Sequence, residues 1–564
     1  MPSIRQQQQL LETSSLKPQI VLENGRQPVF CPHRCRRCSL AGARSTLALL
    51  PSILFTNALA LQLPLSQLSS SVFATLYMHS EDIWSAVAVD KVRALKKLPD
   101  GPARLVALLR HVHKFLSSLA QLPSISPEAA LHARNCCHLI ARVCPVMFEE
   151  CSVEQVDEMF WLPSPNVEPP LGRALLDVCL ELMFLPQFCC SSSHQIWAQG
   201  LGSSVPRPQI VDPALNPNRH AVVLALLGLC SLPLFITTTE MAAKGSRFVS
   251  YIVSVDFIMA QLVFRSLLNV VLSYDTVGWG IPFGGLISSG ATSESFVSSC
   301  CQLLLILLDT NEEVLQLHAS TSGSPSIAAP GAEDDAAPRS LNKVLNDLTD
   351  ISDPRDFEFM FNSILTLLSN PLIASNTSIP GALNSINFFQ ETIILLWKLL
   401  ELHPAFTPFI LRTFDVAQLV VPLVFFINEG RKDAAKVGLV HICTFVLLLL
   451  SGERNFSIAL NAPYNIKLPT DIPAFNGNVG DLVVVVLSRL VLEHTEQMLP
   501  LFDCFFTIIG NIRCAKCFYA PCCGSFSRSP SPQPSAHTSR ASAWAVLSGC
   551  CRLAHFAAIH TFAF

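Results

Sequence analysis

The sequence carries little charge: 14% of its 564 residues are Asp, Glu, Lys or Arg, while 50% are hydrophobic. A chain so poor in charge and so rich in surface to bury is not disordered overall, and its length supplies more core than one compact domain needs. A multi-domain or repeat-built protein is therefore expected. Basic residues are not in excess either. The 38 Lys and Arg and 42 Asp and Glu leave a formal charge of −4, spread along the chain. No surplus is available to neutralise phosphates, and no nucleic-acid partner is expected.

Long uninterrupted apolar runs are also scarce. Ser45 to Tyr77 lacks charge and follows Arg34, Arg36, Arg37 and Arg44, as a signal anchor would, but Pro51, Asn57, Gln62, Pro64 and Gln67 interrupt it. An anchor near residues 45–73 stays open only as the alternative reading. The runs Val416–Asn428 and Val437–Ser451 have the length of core helices. No G-x-S-x-G, G-x-x-x-x-G-K-[ST] or H-E-x-x-H occurs anywhere. GWGIPFGG, residues 278–285, resembles a phosphate loop, yet Pro282 stands where a helix should begin to donate N–H groups, so Gly278 and Gly280 read as turn residues.

Cysteine, by contrast, is plentiful, with 21 in all. Pairs such as Cys136–Cys137 and Cys300–Cys301 lie on helical stretches and read as buried, reduced thiols rather than a disulfide framework. Cys31, His33, Cys35 and Cys38, and again Cys514, Cys517, Cys522 and Cys523, have zinc-like spacing. Adjacent cysteines converge poorly on one ion, and both sets read as incidental, so no metal or other cofactor is expected. His111 and His113 are two apart on a helix and point different ways.

What the chain has in abundance is helical periodicity. Leu105, Leu108, Val112, Leu116 and Leu119 recur at three or four, opposite Arg104, His111, Lys114 and Ser118. Ser126-Pro127 opens a second helix with its stripe through Ala129, Ala133, Cys136, Ile140 and Val143. Further helices are expected at 171–185, 218–230, 247–274, 293–309, 432–451 and 480–496. Another should run from Asp353-Pro354 to just before Asn370-Pro371, and one should open on a capping box of Asn387 and Gln390 and end at His403-Pro404. VVVV, residues 483–486, has strand composition inside a helical period. The pattern predicts an all-α, armadillo- or HEAT-like solenoid of helical hairpins. Residues 319–340 read as a disordered loop within it, and the serine–proline stretch after Gly524 is too poor in apolar residues to pack.

LLLLSGERNF, residues 447–456, poses the sharpest local question. The spacing predicts that Gly452 is the left-handed residue ending a buried helix, and that Glu453 and Arg454 hold the following segment against the stack. That segment, residues 460–477, contains three prolines and cannot be helical. It reads as an ordered loop offering a partner surface through residues such as Tyr464.

These blocks resemble the high-temperature-induced dauer formation protein family, distant kin of dymeclin. LLLLSGERNF, LNAPYNIKLPTDIPAF at 460–475 and LPLFDCFFTII at 499–509 are similar to family blocks. RVCPVMFEE at 142–150, IWAQGLG at 196–202, LSYDTVGWGIPF at 272–283 and LLSNPL at 367–372 precede them in the family's order. The similarity runs from about residue 80 to 512. It implies a cytoplasmic, Golgi-associated peripheral membrane protein, without known enzymatic activity, that sorts cargo into secretory vesicles at the trans-Golgi with trafficking proteins as partners. It brings no catalytic residue. The positions it marks for interaction are Tyr274, Asp275, Gly278, Gly280, Pro282, Gly452, Glu453, Arg454, Asn455, Tyr464 and Pro473. Family members attach through a myristoylated N-terminal glycine, whereas this chain begins Met-Pro. Residues 1–79 read as a poorly packed, non-family extension and 513–564 as a divergent Cys/Ser/Pro-rich tail, in both cases intron or upstream sequence joined to a family core, or the marks of a truncated isoform.

Overall fold

The structure is a computed structural model describing residues 87–122, 124–162, 169–191, 195–201, 212–275, 293–321, 339–376, 385–462, 477–493 and 496–517. All of them belong to one compact unit. Among the described residues every regular element is a helix, and β-type pairing is confined to isolated bridge residues such as Pro186 with Cys190.

The first helices are α1 (Val89–Lys96), α2 (Gly101–Ala120), α3 (Pro127–Phe148), α4 (Val153–Trp161) and α5 (Leu171–Met183). All five stripe leucines and valines expected of α2 are buried. Ser126 caps α3 by accepting from the Ala129 N–H, and Ser152 with Gln155 makes a capping box on α4. The chain continues through α6 (Asn216–Leu229), α7 (Thr238–Lys244), α8 (Arg247–Ser254) and α9 (Phe257–Leu272). The apolar period expected as one helix over 247–274 is thus two helices bent by 105°. Asp256 accepts from the Met259 N–H at 3.1 Å and starts a new helix. A moment that stays apolar on both sides of a cap conceals the break.

Next come α10 (Glu294–Leu308), α11 (Glu312–Thr321), α12 (Lys343–Thr349), α13 (Pro354–Asn376) and α14 (Phe389–Leu402). Helix α11 extends two residues past the expected start of the 319–340 loop; residues 322–338 lie outside the described residues. Helix α13 does not stop before Asn370-Pro371 but runs on to Asn376. An interior proline costs ~3 kcal/mol, and burial of Leu367, Leu368, Pro371 and Leu372 offsets it. The expected capping box on α14 is also absent: Phe388 is its N-cap without a side-chain bond, and the Asn387 N–H is taken by the Glu294 carboxylate from α10.

The remaining helices are α15 (Phe406–Thr413), α16 (Ala417–Gly430), α17 (Val437–Ser451), α18 (Arg454–Ala459), α19 (Val479–Glu493) and α20 (Phe502–Cys517). VVVV lies within α19. Helix α20 runs across the expected boundary at 512.

Packing is a ladder. The pairs α9–α10, α13–α14, α16–α17 and α19–α20 stack so that α9, α13, α16 and α19 follow one another in one row and α3, α6, α10, α14, α17 and α20 in the other. This is an all-α helical-hairpin solenoid. The closest rung is α3 on α6, where a Cβ on Gly228 would lie 2.8 Å from the Ala141 Cα. Pro145 has no N–H for the Ala141 carbonyl, so α3 gives up a bond at the place where α6 presses against it. By length and composition alone, Pro354–Asn376 and Ala434–Ser451 are apolar enough to cross a membrane, but half or more of each is buried in the stack.

Candidate functional site

The residues singled out in sequence fall at three places. At SGERNF the structure overturns the expected architecture. Gly452 ends α17 in a right-handed conformation, φ −66° and ψ −20°, so no left-handed residue is needed. Glu453 is the N-cap of α18 without a side-chain cap bond, and Gly452, Glu453, Arg454 and Asn455 are all exposed. Neither Glu453 nor Arg454 forms an ion pair among the described residues. The exposed turn is fastened instead by the buried Phe456 and Leu460 on its far side. The proline-rich segment leaves and re-enters at one point: the Val479 N–H donates to the Ala462 carbonyl at 3.1 Å and the Gly480 N–H to the Leu460 carbonyl at 3.0 Å. Tyr464 and Pro473 lie outside the described residues, as do Gly278, Gly280 and Pro282.

The second place is IWAQGLG. Trp197 donates its indole N–H to the Met183 carbonyl at 2.9 Å. Asn269 of α9 accepts from the Leu201 N–H at 2.9 Å and donates to the Leu201 and Ala198 carbonyls. The backbone loops around that amide, and Gly200 has φ +152° with its missing Cβ only 2.5 Å from the Asn269 Oδ1. Only glycine fits. Here the motif is a clamp between the α5 end and α9.

The third place is where two family blocks converge. Segment 385–388, which feeds α14, is held from three sides. The Ile386 N–H donates to Asn370 Oδ1 at 2.9 Å, Glu294 takes the Asn387 N–H, and Tyr274 packs edge-on against Phe388 with ring centroids 5.6 Å apart. Burial, with help from Glu294 and Asp275, raises the Tyr274 phenol above its usual range and keeps it neutral. Asp275 is exposed beside it.

Directly next to this knot is an open groove of about 440 Å³. Its floor is Pro371 and Ala374 of α13, Phe389 of α14, Phe425 and Phe426 of α16 and Leu439 of α17. Phe389 and Phe426 stack face to face, 4.9 Å apart and 4° from parallel. Ser375, Ser385, Glu429 and Lys436 form the rim, with Glu429 paired to Lys432 at 2.7 Å. An apolar floor with a sparse polar rim suits one or two apolar side chains of a bound protein.

Other buried polar groups pair with one another across the stack. Asp347, 1% exposed, is gripped by Arg265 at 2.9 and 3.0 Å and by Gln261 at 2.7 Å. Lys398 reaches Asp309 at 2.9 Å and lies over the Trp397 ring. Glu391, its carboxyl pushed up by burial, accepts from Gln302 at 3.1 Å. Partners 82 to 89 residues apart in sequence join successive rungs of the ladder, and no spacing rule could have found them. Burial raises Cys136, Cys137, Cys144 and Cys179, which suits inert packing rather than nucleophiles. No group of three His, Cys, Asp or Glu side chains among the described residues is arranged to hold a metal ion.

A family model described as high-temperature-induced dauer-formation protein matches residues 70–531. The human protein HID1 is 32% identical over 466 residues, covering 77% of this chain and 57% of that protein. Protein HID1 of Dictyostelium discoideum is 27% identical over 365 residues, covering 61% and 40%. The Ubp5-interacting protein ftp105 of Schizosaccharomyces pombe is 25% identical over 305 residues, covering 52% and 31%. The chain therefore spans 57% of the human relative's length and less than half of the other two.

Proposed function

The chain belongs to the high-temperature-induced dauer-formation protein family, and from that premise we propose that it is a non-enzymatic scaffold, attached peripherally to Golgi membranes, that helps to sort cargo into secretory vesicles at the trans-Golgi by binding other trafficking proteins. The observation that carries the binding part is the open groove between α13, α14, α16 and α17, whose aromatic floor adjoins the place where the LSYDTVGWGIPF and LLSNPL blocks meet. A solenoid suits such a role because rigid stacked hairpins hold an extended surface in fixed register. One fission-yeast relative is named for a protein partner, Ubp5, which favours binding over catalysis as the working mode.

The test fills the groove from its rim without touching the core. In secretory cells the tagged chain should co-fractionate with trans-Golgi membranes and be released by alkaline carbonate. Ser375 is exposed and its hydroxyl serves only its own helix turn, bonding the Leu372 carbonyl. Ser375→Trp should lower both the Golgi-bound fraction and the set of co-purified proteins several-fold while leaving the melting temperature unchanged. Carbonate-resistant pelleting would replace the peripheral reading with an integral anchor near residues 45–73. Full recruitment and partner capture by Ser375→Trp would remove the groove from the proposal.

A further inference from the structure

The near balance of charge over the whole chain, 38 basic against 42 acidic residues, conceals a local excess. From Lys91 to Pro127 the sequence has seven Lys and Arg and one acid, Asp100. Two of the seven are engaged within the stack: Arg93 grips Glu149 at 2.7 and 2.8 Å, and Lys96 donates to the Val146 and Glu149 carbonyls. Lys97, Arg104, Arg110 and Lys114 lie in α2 or in the turn that leads into it. Helix α2 contains no Asp or Glu. It buries one face through Leu105, Leu109, Val112 and Leu116 and carries its cations on the opposite one. Arg104, Ala107, His111, Lys114 and Ser118 recur at three and four and so form one stripe, which Arg110 borders one turn before Lys114. Lys114 and Ser118 are exposed, and Arg104, Arg110 and His111 half-buried. Burial, with Lys114 beside it, holds His111 below its usual value, so the lasting charges are those of the two arginines and the lysine.

Two apolar side chains bracket the stripe. Leu98, in the turn before α2, is 37% exposed, and Leu122, which follows Ser118 at four, is 49% exposed. Ala103, Ala107 and Ser117 fill the spaces between the cations, with Val106 and His113 at the edge of the face. Small side chains let the helix lie close to a plane while long basic stems reach anions around it. We propose that this face of α2 docks on a membrane leaflet rich in anionic phospholipid, with Arg104, Arg110 and Lys114 at the lipid phosphates and Leu98 and Leu122 entering among the headgroups. A basic amphipathic helix is attracted to such a leaflet by its charge and held by its apolar side chains. Nucleic acid would meet the same charges but leave the two leucines in water, and a face levelled by Ala and Ser favours a plane over a shaped acidic protein. The inference rests on the peripheral-membrane reading above and gives that reading its residues.

The test uses the purified full chain and lipid vesicles. Pelleting with phosphatidylcholine vesicles that contain about one third phosphatidylserine should exceed pelleting with pure phosphatidylcholine at least tenfold. It should fall several-fold when salt shortens the Debye length to about 3 Å. Arg104→Gln, Arg110→Gln and Lys114→Gln together should lower anionic binding at least tenfold, while Arg104→Lys with Arg110→Lys retains it and Lys432→Gln, at the groove, leaves it within twofold. Lys114→Glu alone, on an exposed side chain, should lower it at least threefold with the melting temperature unchanged, which frees the outcome from the folding of the triple variant. Benzoylphenylalanine placed at position 122 should cross-link to lipid on illumination. Equal pelleting with both vesicles, a triple variant that binds like the parent, or tighter binding to polyglutamate or duplex DNA than to anionic vesicles would overturn the proposal. Fractionation of the same variants in secretory cells judges the wider reading separately. A chain that binds vesicles through α2 but stays off Golgi membranes would overturn the Golgi reading and keep the docking face; Golgi recruitment undiminished in the triple variant would do the reverse.

Discussion

At the scale of single residues, similarity of motif does not predict burial or strain. The SGERNF block looks like a helix stop braced by a charge pair, yet its glycine is right-handed and its charges face solvent. Gly452→Ala and Arg454→Ala should each leave the melting temperature within about 1 °C, because an exposed charge contributes under about 1 kcal/mol and a right-handed cap accepts alanine. Gly200 is the opposite case. A methyl there meets the amide that clamps the loop, in a backbone region that L side chains avoid, so Gly200→Ala should cost roughly 2–3 kcal/mol. Thermal unfolding of the three variants side by side checks both statements, and equal effects of Gly200→Ala and Arg454→Ala would refute them.

At the scale of elements, caps and prolines act only as far as tertiary burial lets them. Asp256 breaks an apolar run that continues on both sides, because its carboxylate gives the new helix a first-turn partner. Pro371 fails to end α13 because it is buried together with Leu367, Leu368, Asn370 and Leu372. Asn370, the residue before that proline, then gains a function of its own: its side chain holds the entry to α14. Asn370→Ala would strand the buried Ile386 N–H, at a cost of about 1–3 kcal/mol. The expected signature is local. Exchange at Ile386 should quicken before the rest of α14 responds, and a variant as protected there as the parent would show that the amide bond carries no weight.

At the scale of the whole molecule, the ladder makes each hairpin depend on its neighbours, and it buries basic groups that an unfolded chain would protonate. Burial lowers His111, His132, His318, His403 and His441, and takes His220 to about 4 and His138 to about 3. The unfolded imidazole titrates near 6.5. Below that pH the unfolded chain takes up protons that the folded one refuses, so stability is complete above about 6.5 and falls as the pH drops towards 4. Denaturant midpoints measured from pH 7.5 to 5 should decline steadily below 6.5, with His138 and His220 contributing about one proton each; a flat profile would contradict their buried, neutral state. The helical period alone established the fold class, since a 3.6-residue stripe can bury its apolar side only as a helix against other helices. The stripe of α2 and the cap of α3 were legible to the residue for the same reason: both are local. The tertiary structure alone decided which prolines end helices, which charges are buried, and where a groove opens. Leu367 and Leu368 outweigh Pro371 only because the stack covers them, and Lys398 finds Asp309 only because two rungs, 89 residues apart in sequence, lie side by side. Local geometry is written in neighbouring residues, whereas burial is a property of contacts that no spacing encodes.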